Sequence, residues 1–557
     1  MAKKETIKNL NQNKFFYLFL IVLIWFITYV ICQFIFEKKL GWDEVAYLSV
    51  ARGIAENFDF SARTYTVMGL IKHGYPTHFI HFPIYSLFLA LFLKLSNNSL
   101  AFAYFSTWLF ALGVCIFIYL IILILLTNCK QLAFGTSLFY LFCPGIIRYC
   151  DTAMMEQCGN FLLCLFLYLI LKDYSKGKIT YLTSVKFALL FLVVWIFKSL
   201  YVGILIGGFV VLALTFSSGF FKKGELNLRC KFLQVLLISY GGFAASFFLL
   251  KKFVFLPVAP MMNFTKTLEA NQSYSDFMAG FFHNFPQNLL ENLKYFLNYT
   301  LGIYFNYPTA YTSQNAQFFV FIPHVIYNGI YFFLFFICIA LLFSGWKNLN
   351  SLSKLFSIFS AIAIVSFNLI FNVFFSTTYE NIWRYNVYYL PLYLCFLAIV
   401  FNANFSYKKP FILDHPKVSK LLIALIVVFI YLPLFISMIN IQQYFWDIYH
   451  TKARTNDEII KSFIKSEKPN FIYFNDGIHT TFTQYPIKQV MKDATNEQLL
   501  RVNKILPEPI EYLFLTPKDW LFQSNKDLII MSEPILGGTY KMHGFDNQNQ
   551  VVVYKLK

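Results

Sequence analysis

Long apolar stretches separated by short polar loops fill the first 440 residues, and a segment with shorter, mixed periods follows them. Apolar runs lie at 15–36, 82–95, 100–126, 131–147, 157–171, 187–216, 232–250, 318–343, 355–375, 386–402 and 420–439. A membrane-spanning helix needs about 20 apolar residues, whereas a run of about 10–14 more often lies at the interface or re-enters. The run 82–95 is therefore read as an interfacial helix. The run 187–216 is too long for one span, and Lys198 interrupts it near its middle. A lysine at the bilayer centre costs about 2.5–3.5 kcal/mol even on the lenient insertion scale. Two short helices joined at Lys198–Ser199 remove that cost.

Loop charge tests both adjustments. With the N-terminus inside, 82–95 not spanning and 187–216 a hairpin, the inside loops are Thr127–Lys130, Lys172–Lys186, Phe221–Lys231, Ser344–Lys354 and Asn404–Lys420. They carry Lys130, Lys172, Lys176, Lys178, Lys222, Lys223, Arg229, Lys347, Lys354, Lys408 and Lys409, as the positive-inside rule requires. A full span at 82–95 would put most of that charge outside. The pattern predicts an α-helical polytopic membrane protein with about eleven spanning helices plus interfacial ones. Three long segments fall outside: 37–99, 251–317 and everything after Asn440.

The last segment reads differently. Strand-like runs at Phe471–Phe474, Tyr512–Leu515, Leu528–Met531 and Val551–Tyr554 alternate with a helix-like stretch at Asp493–Lys504. Prolines 469, 486, 507, 509, 517 and 534 punctuate it. The expected division is a transmembrane domain over 1–440 and a small α/β accessory domain over 441–557 on the outer face.

Composition agrees with a membrane protein: 58% of residues are hydrophobic, 13% are charged, and the mean hydropathy is +0.56. The net charge of +18 would suggest nucleic acid in a soluble chain. Here it sits in the short inside loops, with no nucleic-acid-binding module beside it, so no nucleic-acid partner is expected. The ten cysteines lie at or before Cys395 and form no metal-ligand spacing, so they read as buried thiols. Lys3, Lys4, Lys8 and Lys14 precede the first apolar run, which has no small-residue cleavage site after it. It is read as an uncleaved first span with the N-terminus cytoplasmic. The lipid bilayer, as a bacterial plasma membrane, is the expected setting.

Sorting polar residues by side gathers Asp43, Glu44, Arg52, His73, His78, His81, Arg148, Asp151, Glu156, Lys198, Glu380 and Arg384 at the outer surface. They come from loops far apart in sequence but next to helix ends. A membrane-surface catalytic cavity needs acids to activate an acceptor or hold a metal, and cations to hold an anionic leaving group. Asp43 and Tyr47 would share one face of a helix that follows the first span. The competing structural readings are helix capping for the acids and interface anchoring for the cations. The irregular spacing of the three histidines favours solvated or hydrogen-bonding roles over a metal site.

The stretch WDEVAYLSVARGIAEN after the first span, followed by HFPIYSLFLALFLKL with Pro83, resembles the GT-C glycosyltransferases. It is most similar to their protein O-mannosyltransferase and aminoarabinose transferase branch. The family's interfacial helix usually begins with two prolines, and only one stands here. The resemblance continues in RYCDTAMMEQCGNFLLCLFLYLILK, WIFKSLYVG and YENIWRYNVYYLPLYL, and covers roughly residues 15–440. It implies inverting transfer of a sugar from a polyprenyl-phosphate donor to a glycan, lipid or protein acceptor. Asp43 then maps onto the family's essential acid and acts as base, with Glu44 beside it. Glu156 or Asp151 is the second functional acid, as an acceptor-orienting group or as ligand of a divalent cation (Mg or Mn). Arg384 and Lys198 hold the donor phosphate, and Arg148, Tyr47, His81 and Tyr385 complete the candidate binding set. A polysaccharide polymerase or ligase, and a lipid-linked sugar transporter, are the rival classes.

Overall fold

A computed structural model describes residues 2–35, 42–58, 64–66, 84–126, 129–143, 146–147, 150, 152–177, 180–197, 202–216, 226–250, 345–374, 387–405, 466–468, 471–474, 488–491, 504, 510–515, 532–541 and 548–556. Its helices are α1 (Ala2–Ile35), α2 (Trp42–Asn57), α3 (Ile84–Leu95), α4 (Leu100–Leu125), α5 (Lys130–Leu141) and α6 (Glu156–Ser175). They continue with α7 (Tyr181–Phe197), α8 (Val202–Phe216), α9 (Leu226–Leu250), α10 (Ser351–Phe374) and α11 (Leu390–Phe405). Among the described residues, Phe15–Gln33, Ala101–Leu125 and Glu156–Ser175 are long and apolar enough to cross a membrane. The protein is helical and polytopic in character. The runs expected at 318–343 and 420–439 lie outside the described residues, as does the loop 251–317.

Aromatic pairs fix the relative directions of the helices. Tyr17 of α1 lies 6.4 Å from Tyr119, and Tyr29 lies 5.4 Å from Phe105, so α1 and α4 run antiparallel. The indole of Trp25 locks this pairing by donating to the Trp108 carbonyl at 2.9 Å. Phe110 and Phe117 of α4 both meet Phe161, and Phe117 also meets Tyr168, so α4 and α6 run parallel. The close approach needs Gly113, where a methyl group would overlap the Phe161 ring. Gly203 and Gly207 of α8 face Ala363 and Phe359 of α10 in reverse order, another antiparallel pair. Small residues let backbones approach in this way, which is how helices associate where apolar burial alone does not distinguish neighbour from lipid.

Helix α3 behaves differently. Its 12 residues extend about 18 Å at 1.5 Å per residue, well short of the roughly 30 Å hydrocarbon core. Phe88 and Phe92, a turn apart, both pack on the single ring of Phe110, so α3 crosses α4 where α6 runs beside it. The break expected within 187–216 is present: α7 ends at Phe197 and α8 begins at Val202. Lys198 and Ser199 fall in the gap, outside the described residues.

The expected basic loops converge at one end of the bundle. Asn350 donates to the Leu125 carbonyl at 3.1 Å, Ser353 donates to the same carbonyl at 2.8 Å, and Asn348 donates to that of Ala403 at 3.1 Å. These bonds satisfy the terminal carbonyls of α4 and α11, which have no partner within their own helices. Asn350 also caps α10, accepting the Ser353 amide at 2.7 Å. At the same end Asp173, near the close of α6, accepts from Lys186 at 2.5 Å and Thr183 at 3.1 Å.

The strands are β1 (Thr64–Thr66), β2 (Phe471–Phe474), β3 (Lys488–Met491), β4 (Tyr512–Leu515), β5 (Ser532–Lys541) and β6 (Gln548–Leu556). They form one sheet of order β1-β3-β2-β4-β6-β5. The first four strands in that order pair in parallel, and β4-β6-β5 pair antiparallel. The runs at 471–474 and 512–515 form strands as expected, and 551–554 lies within β6. The run 528–531 and nearly all of 493–504 lie outside the described residues. Strand β1 belongs to the first loop, 37–99, and pairs Thr64–Thr66 with Gln489–Met491. The sheet thus ties that loop to the C-terminal segment across the expected boundary at 440.

Candidate active site

The opposite end of the bundle gathers buried polar groups. Asp43 and Glu44 open the first turn of α2, where the helix dipole favours carboxylates. Adjacent helical positions are about 100° apart in rotation, so positions 43 and 44 fall on different faces of α2. Glu44 is 1% exposed, and its Oε1 accepts the Ala153 amide at 2.5 Å. Three residues on, the Tyr47 hydroxyl donates to Met155 Sδ at 2.9 Å. Both contacts grip the short segment that leads into Glu156, the first residue of α6. Glu156 is fully buried.

Helix α3 closes this contact from another side. Tyr85 meets Tyr47 edge-on at 5.3 Å, and Ser86 donates to the Tyr47 carbonyl at 3.1 Å. The Tyr85 hydroxyl lies beside Thr107 of α4. Burial pushes its pKa well above the ordinary tyrosine value, and the nearby Cys158, Glu156 and Glu44 push in the same direction. Arg52, on the next turns of α2, pairs with Glu56 at 2.7 Å, and Glu56 also accepts from Asn98 at 3.1 Å.

A second polar layer lies one turn into α6. Tyr140 donates to Gln157 Oε1 at 2.7 Å, and Asn160 donates to the Tyr140 oxygen at 3.2 Å. Asn160 also donates to the Val387 carbonyl at 2.9 Å. All three side chains are fully buried, and these bonds offset part of the desolvation cost, while Gln157 Nε2 has no partner among the described residues. Val387 begins a 3-10 turn, Val387–Tyr389, that leads into α11. The sequence reading passed over Tyr140, Gln157 and Asn160. Gln157 and Asn160 are polar positions a helical turn apart at the start of an apolar run, and that spacing is the signal that marks them.

Of the candidate residues, α2 and α6 therefore bring Glu44, Tyr47 and Glu156 together. Asp43 lies in the first turn of α2, one residue from Glu44. His81, Arg148, Asp151, Lys198, Arg384 and Tyr385 lie outside the described residues, as do His73, His78 and Glu380. The described elements that flank them converge here: Ala153 follows Asp151, Val387 follows Arg384 and Tyr385, and α3 follows His81. Among the described residues no group of three or more His, Cys, Asp or Glu side chains could hold a metal.

No family model matches the sequence, and no curated protein matches it. Solved structures match by fold along nearly the whole chain. ArnT from Cupriavidus metallidurans bound to undecaprenyl phosphate superposes with a TM-score of 0.54 at 11% identity, covering 97% of this chain and 97% of that one. The apo state of the same protein gives 0.53 at 11% identity, covering 100% and 98%. The chain thus shares the fold of ArnT.

Proposed function

We propose that this protein is a membrane glycosyltransferase that moves a sugar from a polyprenyl-phosphate-linked donor to a glycan, lipid or protein acceptor, with inversion. The observation that carries this reading is the docking of the α2 acid turn onto the N-terminus of α6. Glu44 and Tyr47 make that contact, in a fold shared with a protein bound to undecaprenyl phosphate. The buried acids occupy helix first turns at one end of the bundle, as suits a cavity at the membrane surface; a transporter more often carries its charges near the midplane.

In this reading Asp43 takes the proton from the acceptor hydroxyl as the oxygen attacks the anomeric carbon, while the bond to the lipid phosphate breaks on the opposite face. Phosphate is a good leaving group, so one base plus cations suffices. Arg384 and Lys198 stabilise the departing phosphate, with Arg148, His81 and Tyr385 around it. Glu44, committed to the Ala153 amide, holds α2 in register and does not take the proton. Glu156 or Asp151 orients the acceptor. A hard divalent cation fits carboxylate oxygens of this kind, and those two residues would hold it, where it would supply positive charge near the phosphate. The acid end faces away from the cytoplasm, the N-terminus lies inside, and the C-terminal segment lies on the outer side.

The test is transfer from a radiolabelled polyprenyl-phosphate sugar by the purified protein in lipid. Mass spectrometry of glycans and lipid-linked sugars in a deletion strain supplies the candidate sugars and acceptors. Accumulation of the donor lipid with loss of one glycan modification supports the reading. Unchanged glycans and donor lipids in that strain, with no transfer in vitro, would remove it.

A further inference from the structure

We propose that the C-terminal sheet is a positioning element for α2, the helix that carries Asp43 and Glu44, and that it acts through strand β1. This rests on the transferase reading given above. Strand β1 belongs to the same loop as α2, and its Cα atoms come within 8 Å of those of the helix. Thr64, Tyr65 and Thr66 are β-branched or aromatic, the types that suit a pleated strand. They pair in parallel with Gln489, Val490 and Met491 of β3. On its other side β3 pairs with β2, where Lys488, Gln489 and Val490 face Phe471, Ile472 and Tyr473.

The residues of β3, KQVM, carry no strong strand signal of their own. They are held in the ladder because they are paired on both sides. Without β1 that edge of the sheet would present a row of unpaired amides and carbonyls. Covering it needs only an extended segment, and most neighbouring strands come from nearby in sequence. Here the cover comes from the first loop, with the whole helix bundle between the two strands in sequence. A ladder cannot reach across a hydrocarbon core about 30 Å thick, so the first loop and the C-terminal segment share one side of the membrane.

The other bonds of α2 tie it to the bundle. Glu44 accepts the Ala153 amide at 2.5 Å, Tyr47 donates to Met155 at 2.9 Å, and the Tyr47 carbonyl accepts from Ser86 at 3.1 Å. These grip the first half of the helix, whereas β1 follows its last turn. Anchors at both ends, one in the bundle and one in the sheet, restrict rotation of α2 about either. A general base works only within reach of the proton it takes, and a shift of about 1 Å is costly. The sheet thereby contributes to the placement of the acid turn without supplying a group to it.

The test combines amide hydrogen exchange with transfer kinetics on the full-length protein in lipid nanodiscs. Tyr65→Pro removes a backbone donor and restricts Thr64 as well. It should speed exchange in β3 and also in α2, and lower kcat about tenfold while undecaprenyl phosphate binds as to wild type. Thr539→Pro interrupts β5 opposite Gln550, at the far edge of the sheet, and should leave kcat and exchange in α2 unchanged. Joining Tyr65→Cys to Val490→Cys by a disulfide should keep wild-type kcat, because the paired state is the working one. Wild-type kcat or unchanged α2 exchange in Tyr65→Pro overturns the proposal. An equal loss in Thr539→Pro also overturns it, by reducing the effect to a weakened sheet. Loss of activity on joining the two cysteines does the same, even if the proline variants fail to fold. A wild-type protein with no transfer overturns the transferase reading instead, and exchange in α2 of Tyr65→Pro still decides the coupling.

Discussion

The two ends of the helix bundle use polar side chains for different purposes. At the end bearing the basic loops, Asn348, Asn350 and Ser353 bond to terminal carbonyls of α4 and α11, and Asn350 caps α10. Each of those bonds answers a need that helix geometry creates, and most of the groups are only partly buried. At the acid end Glu44, Glu156, Gln157 and Asn160 are essentially without exposure, and their partners are other loops and helices. Burying carboxylates and amides is unfavourable unless they are bonded, and apolar residues would pack the same space with less penalty. On the proposed function, the acid end is the one kept for chemistry and the basic end is scaffold.

That contrast can be broken by substitution at either end. Asp43→Asn should have the largest effect, a fall of at least about 10²-fold in transfer rate with normal insertion, because amide and carboxylate match in size but only one accepts a proton. Glu156→Gln should also be severe, with partial relief by added divalent cation if the residue is a ligand; steady-state rates across a cation series decide this. Arg384→Ala and Lys198→Ala should each cost about 1.5–3 kcal/mol in donor kcat/KM, with acceptor use less affected. Unchanged turnover in Arg384→Ala would reduce that residue to a membrane anchor. Glu44→Gln should be milder in rate but should lower thermal stability by about 1–2 kcal/mol, because a charge-assisted bond to the Ala153 amide becomes a neutral one. Smallest of all, Asn350→Ala should cost about 1 kcal/mol of stability, read by melting temperature, with transfer unchanged.

Much of the scaffold was legible from period and charge alone. The short helix at 84–95 and the helix break between Phe197 and Val202 both follow from run length and the cost of burying a lysine. The basic loops around Lys130 and Lys347 share one end because positive charge sorts by side. Long-range contacts were not legible. Nothing local in TYT at 64–66 says that it will join a strand at 488–491, since edge pairing depends on what the fold brings within reach. The acids were picked out by type and position, with Asp43 as the expected base, but the partner of Glu44 was not legible. Only the amide of Ala153, more than 100 residues away, identifies Glu44 as the one held in place.

The central claim is that the acid end works outside the membrane and the basic end lies within the cell. Labelling of single cysteines by a membrane-impermeant thiol reagent, with native thiols removed, tests it most directly. Asn98→Cys, beside Glu56 near the acid end, and Asn475→Cys, in the C-terminal segment, should react in intact cells. Lys178→Cys, in the loop between α6 and α7, should react only after permeabilisation. Labelling of Asn98→Cys or Asn475→Cys from the cytoplasmic side alone would contradict the account.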